Sequence, residues 1–207
     1  GGSDAGCREV GRMSILEAPV MSRNEPRRGN VLVVDDSRTM ALKMSKSVSA
    51  LGHDAAIAED GETALAMLEG ADFDVILLDI MMPGLSGFDI LQRIKSSARL
   101  AHLPVIVISS LNDDTASVAR AIEMGADDFL PKGFDLFILR ARLGAGIERK
   151  RLRDLEIRYL DQVERLTQAA ALLESGRFDP RKLQLEDVVA RQDGLGKLAS
   201  VFMTMAQ

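Results

Sequence analysis

Val75-Ile76-Leu77-Leu78-Asp79-Ile80-Met81-Met82-Pro83-Gly84 is the stretch around which the chain is arranged. Four consecutive apolar residues, β-branched first, have the pattern of a strand buried on both faces. The run ends in one carboxylate, and a Pro-Gly breaker follows. Open α/β sheets place ligands at the C-terminal ends of parallel strands, so Asp79 stands where a reactive group belongs. It is expected to be a nucleophile.

The same grammar repeats on either side. Val31-Leu32-Val33-Val34 reads as a buried strand ending in Asp35-Asp36. Ser37 is placed to cap a helix carrying Met40, Leu42, Met44, Val48 and Leu51, closed by Gly52. Ala55 to Ala58 is a short strand, and Asp60-Gly61 turns into a helix with Ala64, Leu65 and Leu68 on one face, ended by Gly70. A third helix runs from Gly87 to Ile94. Pro104 opens the strand Val105 to Ile108, which ends in Ser109-Ser110. Asp113 or Asp114 starts a helix stopped by Gly125, and Phe129-Leu130 forms a fifth strand leading to Pro131-Lys132. Alternating strands and helices predict right-handed βαβ units, hence a flavodoxin-like, doubly wound α/β domain with a five-stranded parallel sheet over residues 30–149.

The flanks differ. Residues 1–29 lack periodicity and are expected to be a disordered tail, with Gly1-Gly2-Ser3 resembling a tag remnant. Beyond Phe134 charges alternate densely, and Leu152, Leu155, Tyr159, Gln162, Leu166, Ala169 and Leu173 fall at three- and four-residue steps, a coiled-coil period. One long helix leaving the sheet domain is expected despite Gly144 and Gly146, each costing a helix about 1 kcal/mol against Ala. Gly176-Arg177-Phe178-Asp179-Pro180 should break it. An irregular stretch through Leu183, Leu185 and Val188 then leads to a last helix with Leu195, Leu198, Phe202 and Met205. Residues 150–207 thus form an extended helical segment.

Composition narrows the function. A net charge of −5 argues against general nucleic-acid or acidic-membrane binding. No apolar run approaches the roughly 20 residues of a spanning helix, and the N-terminus lacks a signal-peptide stretch. Cys7 is alone, which leaves no disulfide framework or Cys-ligated metal within one chain. A cytoplasmic location is expected. With no Trp, one Tyr and seven Phe, the core must be aliphatic and Met-rich.

In a doubly wound sheet the first, third, fourth and fifth strand ends converge, here supplying Asp35 and Asp36, Asp79, Ser109 and Lys132. Three close carboxylates raise one another's pKa unless a cation sits among them. Mg²⁺ suits, being a hard ion that binds one or two carboxylates and a substrate phosphate. A carboxylate so placed can attack a phosphoryl donor to give an acyl phosphate, with metal, Lys⁺ and hydroxyl supporting the transferred group. Singly, each residue reads as a turn, loop or surface position. The ordered set carries the chemistry.

On these residues, Asn30 to about Arg149 resembles a receiver domain of two-component response regulators. The resemblance implies that Asp35 and Asp36 bind metal, with Asp36 the direct ligand of the pair, together with Asp79 and the backbone carbonyl of Met81. It makes Asp79 the phosphoacceptor, Ser109 the switch hydroxyl, Phe129 the switch aromatic and Lys132 the partner of the phosphoryl group. It implies phosphotransfer from a histidine kinase or histidine phosphotransfer protein, followed by inward movement of Ser109 and Phe129. Gly133 stands where the family usually has Pro after the Lys, which predicts a looser turn. Apolar Met81 and Leu111 flank the site and predict a long-lived phosphoryl group.

Residues from about Arg158 onward resemble a HAMP module, through Arg165-Leu166-Thr167-Gln168-Ala169-Ala170, Gly176-Arg177-Phe178, Asp193-Gly194-Leu195-Gly196 and the stretch from Leu198 to Met205. That resemblance implies a parallel homodimeric bundle. Tyr159 replaces the Pro that usually starts the first helix, as an unbroken helix requires, and Gly194 replaces an acidic residue. A generic coiled coil with a folded-back helix is the other reading; both predict a homodimer. The expectation is a non-enzymatic response regulator, phosphorylated on Asp79 with Mg²⁺ and dephosphorylating slowly, that signals through a dimeric helical stalk. Two alternatives stand beside it: the regulatory part of a longer effector, such as a nucleotide cyclase or phosphatase, and a haloacid-dehalogenase-like hydrolase. The hydrolase is disfavoured by Met81, where that chemistry wants a second Asp.

Overall fold

Strands of four or five residues, apolar on both sides, form the centre of the protein. The computed structural model describes residues 28–110, 115–174 and 185–205. Its five strands are β1 (Asn30–Val34), β2 (Asp54–Ala58), β3 (Val75–Asp79), β4 (Val105–Ser109) and β5 (Asp128–Pro131), all parallel, in the order β2-β1-β3-β4-β5. The helices are α1 (Arg38–Ala50), α2 (Gly61–Gly70), α3 (Gly87–Ser96), α4 (Thr115–Glu123), α5 (Leu136–Glu174), α6 (Glu186–Val189) and α7 (Gly194–Met205).

Period-two alternation sorts the strand side chains into two layers. Leu32, Val34, Ile76, Leu78, Val105 and Val107 pack with α2, α3 and α4, through Leu68, Ile90, Ile94 and Ala121. Val31, Val33, Val75, Leu77, Ile106, Ile108 and Leu130 pack with α1 and α5, through Met44, Val48, Leu139, Leu143 and Ile147. The fold is the flavodoxin-like, doubly wound architecture that the strand spacing predicts.

Local differences from the expected pattern have physical causes. Ser37 sits at the α1 N-cap, but its hydroxyl caps nothing; its backbone N–H instead donates to Asp35 Oδ1 at 2.8 Å. Asp60 does cap α2, accepting from the Thr63 N–H at 2.7 Å. Gly70 is the last residue of α2 rather than a left-handed stop, whereas Gly52 and Gly125 end α1 and α4 at φ 87° and 99°. The helix-start expectation at Asp113 or Asp114, Leu111, the break at 176–180 and Leu183 lie outside the described residues, as do residues 1–27.

α5 continues through Gly144 and Gly146 for 39 residues. A Cβ at Gly146 would lie 3.0 Å from Val75 Cγ2, so the glycine lets the helix lie close against the sheet. The stretch expected to be irregular contains the single turn α6, which buries Leu185 and Val188 against Leu166 and Ala169 of α5. Ion pairing holds it there: Arg165 Nη2 lies 2.7 Å from Asp187 Oδ2, with its Nη1 3.0 Å from Oδ1. Asp193 accepts from the backbone N–H groups of Leu195 and Gly196 and so caps α7. No described helix is long and apolar enough to cross a membrane.

Candidate active site at the strand ends

Sheet order and register build the site. The chain reverses its direction of strand addition between β1 and β3, which opens a crevice at their C-terminal ends. Val34 pairs with Leu78, so the next residues, Asp35 and Asp79, emerge side by side. Ser109 pairs with Pro131, which brings Lys132 in from β5, and its N–H donates to the Ser109 carbonyl at 2.7 Å. The following turn is closed by the Phe134 N–H donating to the Pro131 carbonyl, with no cis peptide among the described residues.

Asp79 is fully buried. Its Oδ2 accepts from Lys132 Nζ at 2.7 Å, and its Oδ1 accepts from the Met81 N–H at 3.3 Å. Burial pushes the Asp79 carboxyl above its ordinary pKa, and the Lys132 hydrogen bond and charge only partly offset this. Asp35 is raised too, first by burial and then by the Asp79 charge, against the lowering effect of the Ser37 N–H. Burial alone would lower Lys132, but hydrogen bonding to Asp79 and the charges of Asp79, Asp35 and Asp36 hold it above its usual value.

Oxygens of Asp35, Asp36 and Asp79 lie within 4.8 Å of one another. Asp35 Oδ2 is buried with no hydrogen-bond partner, and Lys132 Nζ is 3.9 Å away. An orphaned buried carboxylate oxygen facing two more carboxylates fits a hard divalent cation, which would remove the repulsion and satisfy that oxygen. Ser109 is 4 % exposed at the end of β4, one residue past Ile108, the sheet partner of Asp79. All the candidate acids, the hydroxyl and the Lys therefore meet at one crevice. The Met81 side chain is 64 % exposed.

Two residues were not singled out from the sequence. Gly87 opens α3, and a Cβ there would lie 2.1 Å from the Asp79 carbonyl oxygen, so only glycine lets α3 start this close to the nucleophile's backbone. Arg142 of α5 lies over the Phe129 ring, 5.0 Å from its centroid, and pairs with Asp128. Asp128 Oδ1 also accepts from the Phe129 N–H at 2.8 Å. Phe129 alternates away from buried Leu130 and is 38 % exposed. A Gly just after Ser86 was a weak sign of close approach; no local pattern links residues 129 and 142.

Residues 31–144 match the response regulator receiver domain family. The chain is 39 % identical over 125 residues to the gliding motility regulatory protein of Myxococcus xanthus, covering 60 % of this chain and 16 % of that protein. It is 36 % identical over 166 residues to the response regulator PleD of Caulobacter vibrioides, covering 80 % of this chain and 33 % of that protein. This chain thus spans only about a sixth to a third of those two relatives. A receiver domain of a Francisella response regulator superposes with a TM-score of 0.54 at 32 % identity, over 59 % of this chain and 98 % of that one. Receiver domains are phosphoacceptors that bind Mg²⁺ at an acidic pocket and interact with histidine kinases or phosphotransfer proteins. With more than half of its length matched and its acids and Lys gathered at the strand ends, the chain belongs to the response regulator receiver domain family.

Proposed function

We propose that Asp79 accepts a phosphoryl group from the phosphohistidine of a histidine kinase or histidine phosphotransfer protein. The observation that carries this is the 2.7 Å contact between Lys132 Nζ and a fully buried Asp79 carboxylate, beside two further acids. A carboxylate oxygen of Asp79 attacks phosphorus as the P–N bond breaks, and its electron pair leaves with the imidazole nitrogen. The product is an acyl phosphate on Asp79. Asp35, Asp36, Asp79 and the Met81 carbonyl would hold Mg²⁺, which would supply charge neutralisation on the phosphoryl oxygens. Lys132 neutralises charge through the Nζ that already contacts Asp79, and Ser109 offers a hydroxyl to a phosphoryl oxygen.

Phe129 is the route outward. Its ring is held by Arg142, which belongs to the helix that leaves the domain, so inward movement of Phe129 with Ser109 removes a restraint on α5. α5 then acts as the first helix of a dimeric, HAMP-like stalk. Supporting this, residues 187–191 lie beside 159–165 through the Arg165–Asp187 pair and the Arg191–Gln162 hydrogen bond. Ala199 of α7 is buried with Leu166 and Ala169, so α7 packs on the same part of α5 as the α6 turn. The PleD similarity also supports a shared stalk: 166 residues cannot be accommodated without passing residue 144 into the long helix. The same similarity favours a second reading, in which this chain regulates a further effector domain, since PleD is about three times the matched length.

The test is acetyl phosphate with Mg²⁺ on wild type and Asp79→Ala, read by intact mass. One hydroxylamine-labile phosphoryl group on wild type and none on the variant is expected. Equal labelling of both overturns the assignment.

A further inference from the structure

The row of residues that α6 and α7 cover at Leu166 and Ala169 continues toward the receiver as an exposed seam, with Arg191 lying over the Tyr159 ring 5.7 Å from its centroid. Leu152, Leu155 and Tyr159 are 59 %, 55 % and 46 % exposed on the same three-and-four-residue seam. Ile157 and Leu160 are exposed as well but lie off the seam, on a row bounded by Arg153 and Glu164. An apolar seam of this period, open at one end and buried at the other, fits another helix of the same period.

The charges beside the seam say which helix and which way round. Taking Leu152 and Tyr159 as a positions and Leu155 as d, Arg151 and Arg158 fall at g and Glu156 at e. Flanking charges at e and g set partner and orientation in coiled coils. In a parallel, in-register pair of identical helices, g meets e of the following heptad, so Arg151 of each copy meets Glu156 of the other. In an antiparallel pair, g meets g and e meets e: one register sets Arg151 against Arg158, and the next sets Arg158 and Glu156 each against itself, so either one carries like-charge contacts that the parallel pair lacks. Among the described residues these groups make local contacts: Arg151 with Glu148 at 3.5 Å, Glu156 with Arg153 at 2.7 Å, and Arg158 donating to the Asp154 carbonyl at 3.2 Å.

We propose that a second copy of this chain docks in parallel on residues 152–160 of α5, in the register that sets Arg151 against the partner's Glu156. This rests on the dimeric reading above and adds the surface, the register and the two side chains that select it. Receivers on a parallel pair emerge at the same end of the stalk, so both phosphorylation sites act on one shared seam.

The experiment uses the full chain with Cys7→Ser, carrying either Leu152→Cys or Leu155→Cys. Mild oxidation should cross-link each variant to itself, because both positions face their own copies in a parallel register. Cross-linking only in a mixture of the two variants would show an antiparallel pair and overturn the register while leaving the dimer standing. A monomer at all concentrations would overturn both. Separately, Arg151→Glu and Glu156→Arg should each weaken self-association by about five- to tenfold. Mixing them, or combining them in one chain, should restore it. Loss without restoration contradicts the pairing. Asp79 labelling should be unchanged throughout, which keeps this outcome separate from the phosphoacceptor reading.

Discussion

α5 is one helix with two kinds of neighbour. In its first half Leu139 and Leu143 are fully buried and Ile147 nearly so against the sheet. Two ion pairs tie that half to the start of β5 and the residue before it: Arg142 to Asp128, and Arg149 to Asp127 at 2.7 Å. Asp127 also accepts from Lys95 and from the Val105 N–H, so the anchor reaches α3 and β4. Burial alone would raise its carboxyl, but these bonds leave it below the ordinary value. In the second half the apolar residues Leu152, Leu155 and Tyr159 face outward. Helix propensity does not distinguish the halves; what distinguishes them is whether the fold or a partner supplies the covering surface. The first half is part of the core, and the second leaves Leu152, Leu155 and Tyr159 open as the proposed interface.

The largest test of that contrast is Leu143→Ala against Leu155→Ala. Truncating buried Leu143 should cost about 2–5 kcal/mol of folding stability by leaving a cavity. Truncating Leu155 should change unfolding of the dilute monomer by less than about 0.5 kcal/mol and weaken self-association instead. Denaturant melts at low and high concentration separate the two. A concentration-independent loss of several kcal/mol at Leu155 would contradict the division.

At the site end, Lys132→Ala should slow acetyl phosphate labelling by about 10²–10³-fold, the usual loss when one preorganised charge is removed. Asp35→Asn should raise metal-free stability by about 1 kcal/mol. Asp35 has its pKa raised by burial, so the folded state holds the proton more tightly than the unfolded chain. Its charged form therefore opposes folding above the raised folded pKa, and the penalty disappears as pH falls toward the ordinary value of about 3.9. The gain from Asp35→Asn should shrink over that descent, as thermal melts across pH will check. Conversely, Mg²⁺ at ten times its dissociation constant should stabilise wild type by about 1.4 kcal/mol, and Asp35→Asn far less. The smallest effect belongs to Arg142→Gln, which removes a cation–π contact of about 0.5–1 kcal/mol. It should tighten beryllofluoride binding by about two- to fivefold in calorimetry, because a restraint on Phe129 is gone.

The site was legible because it is built from strand ends. Once Val31–Val34 and Val75–Leu78 are read as buried parallel strands, Asp35 and Asp79 must emerge together, and Lys132 follows from the fifth strand by the same logic. What escaped the sequence is tertiary. The Ser37 hydroxyl was expected at a cap, but Asp35 takes the Ser37 N–H and so orients its own carboxylate in the site. The Arg142–Phe129 contact and the Arg165–Asp187 pair join residues 13 and 22 positions apart, and no local period announces either. Asp187 is held at a pKa of about 2, chiefly by its hydrogen bonds from Arg165. The α6 turn read as irregular because it is held by that pair and by two apolar residues rather than by propensity.

In the proposed function the state of Asp79 is read by the first half of α5 and delivered to the second. Hydrogen exchange of the full chain, with and without beryllofluoride and Mg²⁺, tests it directly. The expected result is a change in exchange rate in the segment from Asp128 to Arg142 and a second change beyond Arg149, both absent in Asp79→Ala. A response confined to the strand ends, with α5 beyond Arg149 unaltered, would contradict it.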